Sequence, residues 1–264
     1  MCLIVFAWKA HPRYSLVLAA NRDEVFDRPS ARLDYWDDQP DVLGGRDIEK
    51  GGTWFATNVD GRWAAVTNFR ESQPAAPSSW SRGHLVSGYV ASQASAAEYA
   101  RDISEPLPRY SGCNLLVGDA QALFYASNRD QRHTGARIEK LSPGVHGLSN
   151  HLLNTPWPKV QRCKRSLQAL LGAGKSGISD DLFHLLADRT PANDDELPAT
   201  GVSHTRERML SSPFIVSKGY GTRASTVLLV DNDGTCVMQE RSFGSDGIEL
   251  ARRTKTFRRT DRRN

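Results

Sequence analysis

Three stretches of this chain repeat one pattern: an apolar run, a short turn and a second apolar run. "GGTWFATNVDGRWAAVTN" turns at "NVDG", "CNLLVGDAQALFYASN" at "GDAQ" and "STVLLVDNDGTCVMQERSF" at "DNDG". Asp-Gly between such runs marks a hairpin, because glycine supplies the positive φ of a tight turn. The opening runs "CLIVFAW" and "SLVLAAN" make a further pair. A chain built this way folds around antiparallel sheet. Runs such as "VLLV", apolar on both faces, must be covered on both, which calls for stacked sheets with helices outside.

Helical spacing appears between the hairpins. In "RGHLVSGYVASQASAAEYARDI" the residues Leu85, Val86, Tyr89, Val90 and Ala94 recur on one face, and Val160, Cys163, Leu167, Leu170 and Leu171 do so later. "SDDLFHLLADR" reads as a third helix with Ser179 as N-cap. Proline and small residues predict loops at 71–80 and 190–201. Neither marks a domain boundary, so residues 1–250 are expected to form a single domain.

The net charge of +4 is concentrated at one end. Residues 251–264 carry seven Lys and Arg against Asp261, a surplus of +6 that leaves the body at −2. This run is expected to be a mobile basic tail, with no nucleic acid partner. No apolar stretch approaches the roughly 18 residues of a membrane span, so no membrane insertion is expected. The opening run lacks the basic leader and cleavage site of a secretory signal. The four cysteines, Cys2, Cys113, Cys163 and Cys236, form no CxxC pair, which predicts free thiols and a cytoplasmic location. The seven histidines show no metal-ligand spacing.

Cys2 carries the sharpest chemical implication. Removal of Met1 leaves a thiol and a free α-amine on one residue, and an α-amine with a pKa near ~8 can act as base to its own thiol. A buried cysteine opening a strand is the alternative. A nucleophile also needs oxyanion donors and groups that hold the amine. Asn21 and Asp23 end the second strand on a common face, Asn68 closes "RWAAVTN", Asn150 follows "GVHGLS", and Arg223 begins the strand "TRASTVLLV". Trp54, after Gly51 and Gly52, is expected in the core or a pocket wall, with close backbone approach at the glycines. His151 and Trp157 lie near Asn150 and are expected at a pocket mouth.

"MCLIVF", "LAANRDEVFDRPS", "GGTWFATNVDGRWAAVTNFRE", "CNLLVGD", "HGLSNHLLNTPWPKV" and "YGTRASTVLLVD" occur in order across residues 1 to about 231. Together they resemble the successive motifs of the NRDE family, also called the transport-and-Golgi-organization family. That family resembles the N-terminal-nucleophile (Ntn) hydrolases, including bile-salt hydrolases and penicillin V acylases. The resemblance implies an α+β fold, a four-layer αββα sandwich of two mostly antiparallel sheets. It also implies Cys2 as nucleophile, Asp23 as holder of the α-amine, Asn68 and Asn150 near the oxyanion, and Arg223 as a late arginine of the site. Asn21, Arg22, Trp54 and His151 are expected to contact substrate. One departure stands out: the acylases carry an arginine where this chain has Ala20, while Arg22 alternates to the face opposite Asn21 and Asp23.

Two functions follow from the resemblance. One is a cysteine amidohydrolase or acyltransferase acting on an amide or ester, with no cofactor required. The other is a trafficking protein that uses the same pocket, without catalysis, for haem or for a lipid or acyl-CoA.

Overall fold

The computed structural model describes residues 2–71, 80–130, 132, 135–173 and 177–260. The chain runs β1 (Cys2–Trp8), β2 (Tyr14–Val25), β3 (Ser30–Trp36), β4 (Gln39–Asp47), β5 (Phe55–Asn58), β6 (Trp63–Asn68), α1 (Gly83–Ala91), α2 (Ala96–Asp102), β7 (Cys113–Gly118) and β8 (Leu123–Ser127). It continues through β9 (Arg137–Lys140), β10 (Gly144–Leu148), α3 (Pro158–Gly172), α4 (Ser179–Leu186), α5 (His204–Leu210), β11 (Val216–Ser217), β12 (Tyr220–Asp231), β13 (Thr235–Phe243) and β14 (Glu249–Arg258).

These strands make two antiparallel sheets. One has the order β10-β1-β2-β12-β13-β14, with β11 beside β12; the other is the meander β3 to β9 in sequence order. The hairpins expected from sequence form as β5–β6, β7–β8 and β12–β13, and β1 pairs with β2.

Strand alternation assigns the layers. Ile4, Phe6, Leu16 and Leu18 meet Leu33, Phe55, Leu116 and Tyr125 between the sheets. Their odd-numbered neighbours Leu3, Val5, Val17 and Ala19 pack outward on Val160 and Leu167 of α3 and Leu182 and Leu186 of α4. The other sheet buries Ala64 and Leu115 under α1 and α2. "VLLV" behaves as its composition requires: Leu228 joins the inter-sheet core, whereas Val227 and Leu229 face the helices. Each fully buried aliphatic or aromatic side chain contributes about 1.5–3 kcal/mol. The result is the four-layer αββα sandwich.

Several expectations need correction. The helical stretch at 83–102 is two helices, because Ser95 leaves the helix to cap α2 in a capping box with Glu98. The N-cap of α4 is Ile178, and Ser179 is the first helical residue. Residues 251–258 are not a mobile tail: they lie in β14, paired from Thr235↔Arg258 to Phe243↔Glu249, with Phe257 packed against the inter-sheet core. Arg253 and Lys255 pair with Asp34 on β3, so the basic residues decorate an edge strand. Of the two expected loops, residues 72–79 and residues 261–264 of the tail lie outside the described residues. Among the described residues no helix is long and apolar enough to cross a membrane.

Candidate functional site

Cys2 opens β1, and its register partner on β2 is Arg22. Directly opposed residues of an antiparallel pair project to the same face, and both belong to the even-numbered, inter-sheet side. They line a cavity of about 370 Å³ at one end of the sandwich, together with Asn68, Trp54, Asp23 and Arg82. Cys2, Arg22 and Asp23 come from one sheet and Asn68 from the other. The site therefore exists only where the two sheets meet.

Polar stitching fixes that meeting. The Ser149 hydroxyl donates to the Cys2 carbonyl at 3.0 Å, Asn150 Nδ2 donates to the Asn68 carbonyl at 2.8 Å, and Arg70 N donates to the Asn150 carbonyl at 2.7 Å. Thr67 Oγ1 adds a bond to the Ser149 carbonyl at 2.7 Å. The "LSN" segment after β10 thus ties the start of β1 to the end of β6.

The charged groups are arranged with little compensation. Arg22 is 6% exposed and stacks on the Trp54 ring at 4.1 Å. Among the described residues its guanidinium makes no hydrogen bond, and Glu24, at 3.8 Å, is the acid it pairs with. Burial pulls its pKa below the ordinary arginine value. Arg82 donates to the Gly112 carbonyl at 3.1 Å, and burial lowers its pKa as well. The Cys2 thiol is half-buried; burial pushes its pKa up, Asp23 adds to the rise and Arg22 opposes it. The other three thiols are buried and held well above the usual thiol range, Cys113 and Cys163 at about 12 and Cys236 at about 11. All four cysteines are free.

Asn21 and Asp23 share a face, but it is the helix-side face. Asn21 is 1% exposed, its Nδ2 donates to the Leu186 and Pro213 carbonyls at 2.9 Å each, and its Oδ1 accepts from Ser225 at 2.6 Å. These bonds commit it to a structural clamp, so its expected substrate contact is corrected. Asp23, also 1% exposed, accepts from Thr222 Oγ1 at 2.6 Å and lines the cavity from the strand end. Burial raises its pKa, and Lys159 is the strongest of the groups that oppose this.

Asn150 and Arg223 are not brought to the cavity. Asn150 is fully buried in the stitch just described. Arg223, at the β12 irregularity between Thr222 and Ala224, donates to the Val25 carbonyl at 3.2 Å and to the Arg28 carbonyl, and lines an adjoining cleft that shares Arg22 and Trp54 with the cavity. His151 opens on a broader cleft with Phe69 and Arg70; its Nδ1 lies 2.9 Å from Thr155 Oγ1, its ring is 4.9 Å from Phe69, and burial lowers its pKa. Trp54 forms a cavity wall as expected.

Three residues of the site escape a reading by motif. Ser149 and Arg82 carry no local signal. Lys159 does: it sits four residues before Cys163, on the apolar stripe of α3, where a lysine is out of place.

This architecture has known counterparts. The C2A mutant of the conjugated bile acid hydrolase from Clostridium perfringens superposes with a TM-score of 0.54 at 10% identity, covering 98% of each chain. The Caenorhabditis elegans ortholog of N-acylethanolamine-hydrolyzing acid amidase superposes at 0.51 and 11% identity, over 86% of this chain and 92% of that one. Such identities show a shared fold. By sequence, the chain is 34% identical to the Transport and Golgi organization protein 2 homolog of Bos taurus, over 98% of this chain and 99% of that protein. It is 33% identical to the Homo sapiens homolog, over 92% of this chain and 93% of that protein. The family model described as Transport and Golgi organisation 2 matches residues 1–245. The chain belongs to the Transport and Golgi organisation 2 family.

Proposed function

We propose that this chain is an N-terminal-cysteine amidohydrolase or acyltransferase of the cytoplasm, acting on a small acyl amide or ester. The observation that carries the reading is the register pair Cys2↔Arg22, which sends a thiol and an almost unpaired guanidinium together into one cavity beside Asn68. Arg22 supplies, from the same strand face, the positive charge absent at Ala20. The fold supports the reading: the two similar structures are named as an amidase ortholog and a hydrolase, the latter a mutant at a cysteine in its own second position.

Once Met1 is removed, the α-amine takes the Cys2 thiol proton as sulfur attacks the carbonyl carbon. The developing oxyanion is met by the Asn68 amide and the Arg22 guanidinium. Collapse expels the amine or alcohol, which receives the proton from the α-ammonium, and leaves a thioester on Cys2. Water, or an acceptor amine or alcohol, then attacks the thioester and restores the thiol. Asp23 holds the amine throughout. Asn150 acts one step back, by fixing the Asn68 backbone.

A second reading, carriage of haem or of a lipid or acyl-CoA without turnover, draws on one observation. The cleft beside the site is about 1170 Å³ and places His151 and Phe69 on its wall, large enough for such a ligand. An acyl-amide panel and a haem titration, run on wild type, Cys2→Ser and Cys2→Ala, separate the readings. The hydrolase account expects acid release by wild type, a slow or acyl-trapped Cys2→Ser and an inactive Cys2→Ala. Haem binding that ignores Cys2, with no release from any amide, would leave carriage as the function.

A further inference from the structure

Cations outnumber acids in the wall of the Cys2 cavity, and the chemistry above uses only Arg22. Arg22, Arg28, Lys50 and Arg82 line it, against Asp23, Glu24 and Asp47. Most of these charges answer one another. Arg28 Nε and Nη2 donate to Asp47 Oδ2 at 3.0 and 2.7 Å, and Glu49 lies 3.3 Å from Arg28 Nη1. Glu24 accepts from Val25 N at 3.0 Å through Oε1 and lies 3.8 Å from Arg22 through Oε2. Asp23 accepts from Thr222 Oγ1 on the helix side.

Arg82 and Lys50 stand outside this set. Among the described residues neither has an acid within ion-pairing distance. Arg82 is half-buried just before α1, and its guanidinium makes one hydrogen bond, from Nη1 to the Gly112 carbonyl at 3.1 Å. Arginine seldom leaves water unless it is paired, and its planar fork of five N–H donors matches a carboxylate. Lys50 is fastened beside it: His84 Nε2 lies 2.8 Å from the Lys50 carbonyl, and Thr53 N donates to the Gly83 carbonyl at 3.3 Å.

We propose that Arg82, with Lys50, is a specificity-determining residue that binds a carboxylate of the substrate, so that the amide or ester taken by this cavity carries a carboxylate near its scissile bond. That the bound carboxylate belongs to a substrate, and not to a ligand simply held, rests on the hydrolase reading. The division of labour follows from the fold. Arg22 faces Cys2 across the β1–β2 register and stacks on Trp54, which leaves its guanidinium to the carbonyl oxygen. Arg82 and Lys50 reach the cavity from the segments before α1 and β5 and take the second charge. A cavity of about 370 Å³ lies near the small end of ligand sites, which suits a short amide with one carboxylate.

The test is an NMR titration of Cys2→Ala protein, which cannot form the thioester, with two carboxylates and their neutral isosteres. N-acetylglycine is compared with N-acetylglycinamide, and N-methylsuccinamate with N-methylsuccinamide, which puts the carboxylate on the leaving side or the acyl side of the amide. At least one carboxylate should bind about tenfold or more tighter than its neutral partner, as a charge-assisted fork requires. Adding Arg82→Gln, checked for folding by circular dichroism, should bring that ratio to within about twofold and leave the neutral affinity unchanged. A change of cavity shape alone would weaken both partners. Lys50→Gln, at an exposed position, should lower the ratio about threefold, and it decides the matter if Arg82→Gln does not fold. No preference in either pair, or a preference that ignores the deciding variant, overturns the proposal. Acid release by wild type is read separately: a carboxylate preference without acid release upholds the site and counts against the hydrolase, and acid release without a preference does the reverse.

Discussion

Asn21, Arg22 and Asp23 show how much a single alternation decides. From sequence, Asn21 and Asp23 were bound to share a face, but which face they shared depended on the partner strand. The register Cys2↔Arg22 turns Arg22 toward the thiol and the other two toward the helices. The letters of the motif alone do not show that Arg22 is the member of the triplet opposite Cys2 on the inter-sheet side. Asn21 instead clamps β2 to the end of α4 and to Pro213. Asn21→Ala removes three buried hydrogen bonds and strands two carbonyls, which should cost about 3 kcal/mol. Urea denaturation should show that loss, while Cys2 alkylation in the folded protein stays within about twofold of wild type. A loss under about 1 kcal/mol would mean that the clamp is not what holds these elements.

The elements that sequence revealed were those with a clean apolar signature: β1, β2, the three hairpins, α3 and α4. β14 stayed hidden because its ten residues are exposed or only half-buried. Such a strand looks like a solvated tail, yet basic side chains on an outer strand are a known protection against edge-to-edge pairing. Gly52 is a position where the element scale was legible. A Cβ there would lie 2.5 Å from the Gly83 carbonyl carbon and 2.8 Å from its oxygen, both of them backbone atoms that cannot swing aside. Gly52→Ala should push the start of α1 away and with it Arg82 at the cavity rim, at a cost of about 1–3 kcal/mol. Thermal denaturation should register a lower Tm; an unchanged Tm would mean that this approach is looser than it looks.

At the scale of the whole molecule, the site is a product of sheet packing. Its nucleophile candidate and its candidate oxyanion donor belong to different sheets, joined by Ser149 and Asn150 from a segment about eighty residues further along than Asn68. The ordered motifs in the sequence pointed to the right fold, and four residues they singled out, Cys2, Asp23, Asn68 and Trp54, line one cavity. They could not separate residues that line the cavity from residues that hold it together, such as Asn150 and Arg223, since both kinds sit at strand ends. Similarity at 10–11% identity to an amidase ortholog and a hydrolase carries the sandwich over to this chain, but function resides in the site.

The central claim is that Cys2 becomes a reactive N-terminal residue. One measurement tests it: peptide mass spectrometry of natively expressed protein after a brief, limiting pulse of iodoacetamide. The account predicts an N-terminal peptide that begins at Cys2 and is alkylated at least tenfold faster than Cys113, Cys163 or Cys236, whose buried thiols remain protonated at neutral pH. A peptide that retains Met1, or equal labelling of all four cysteines, would contradict it.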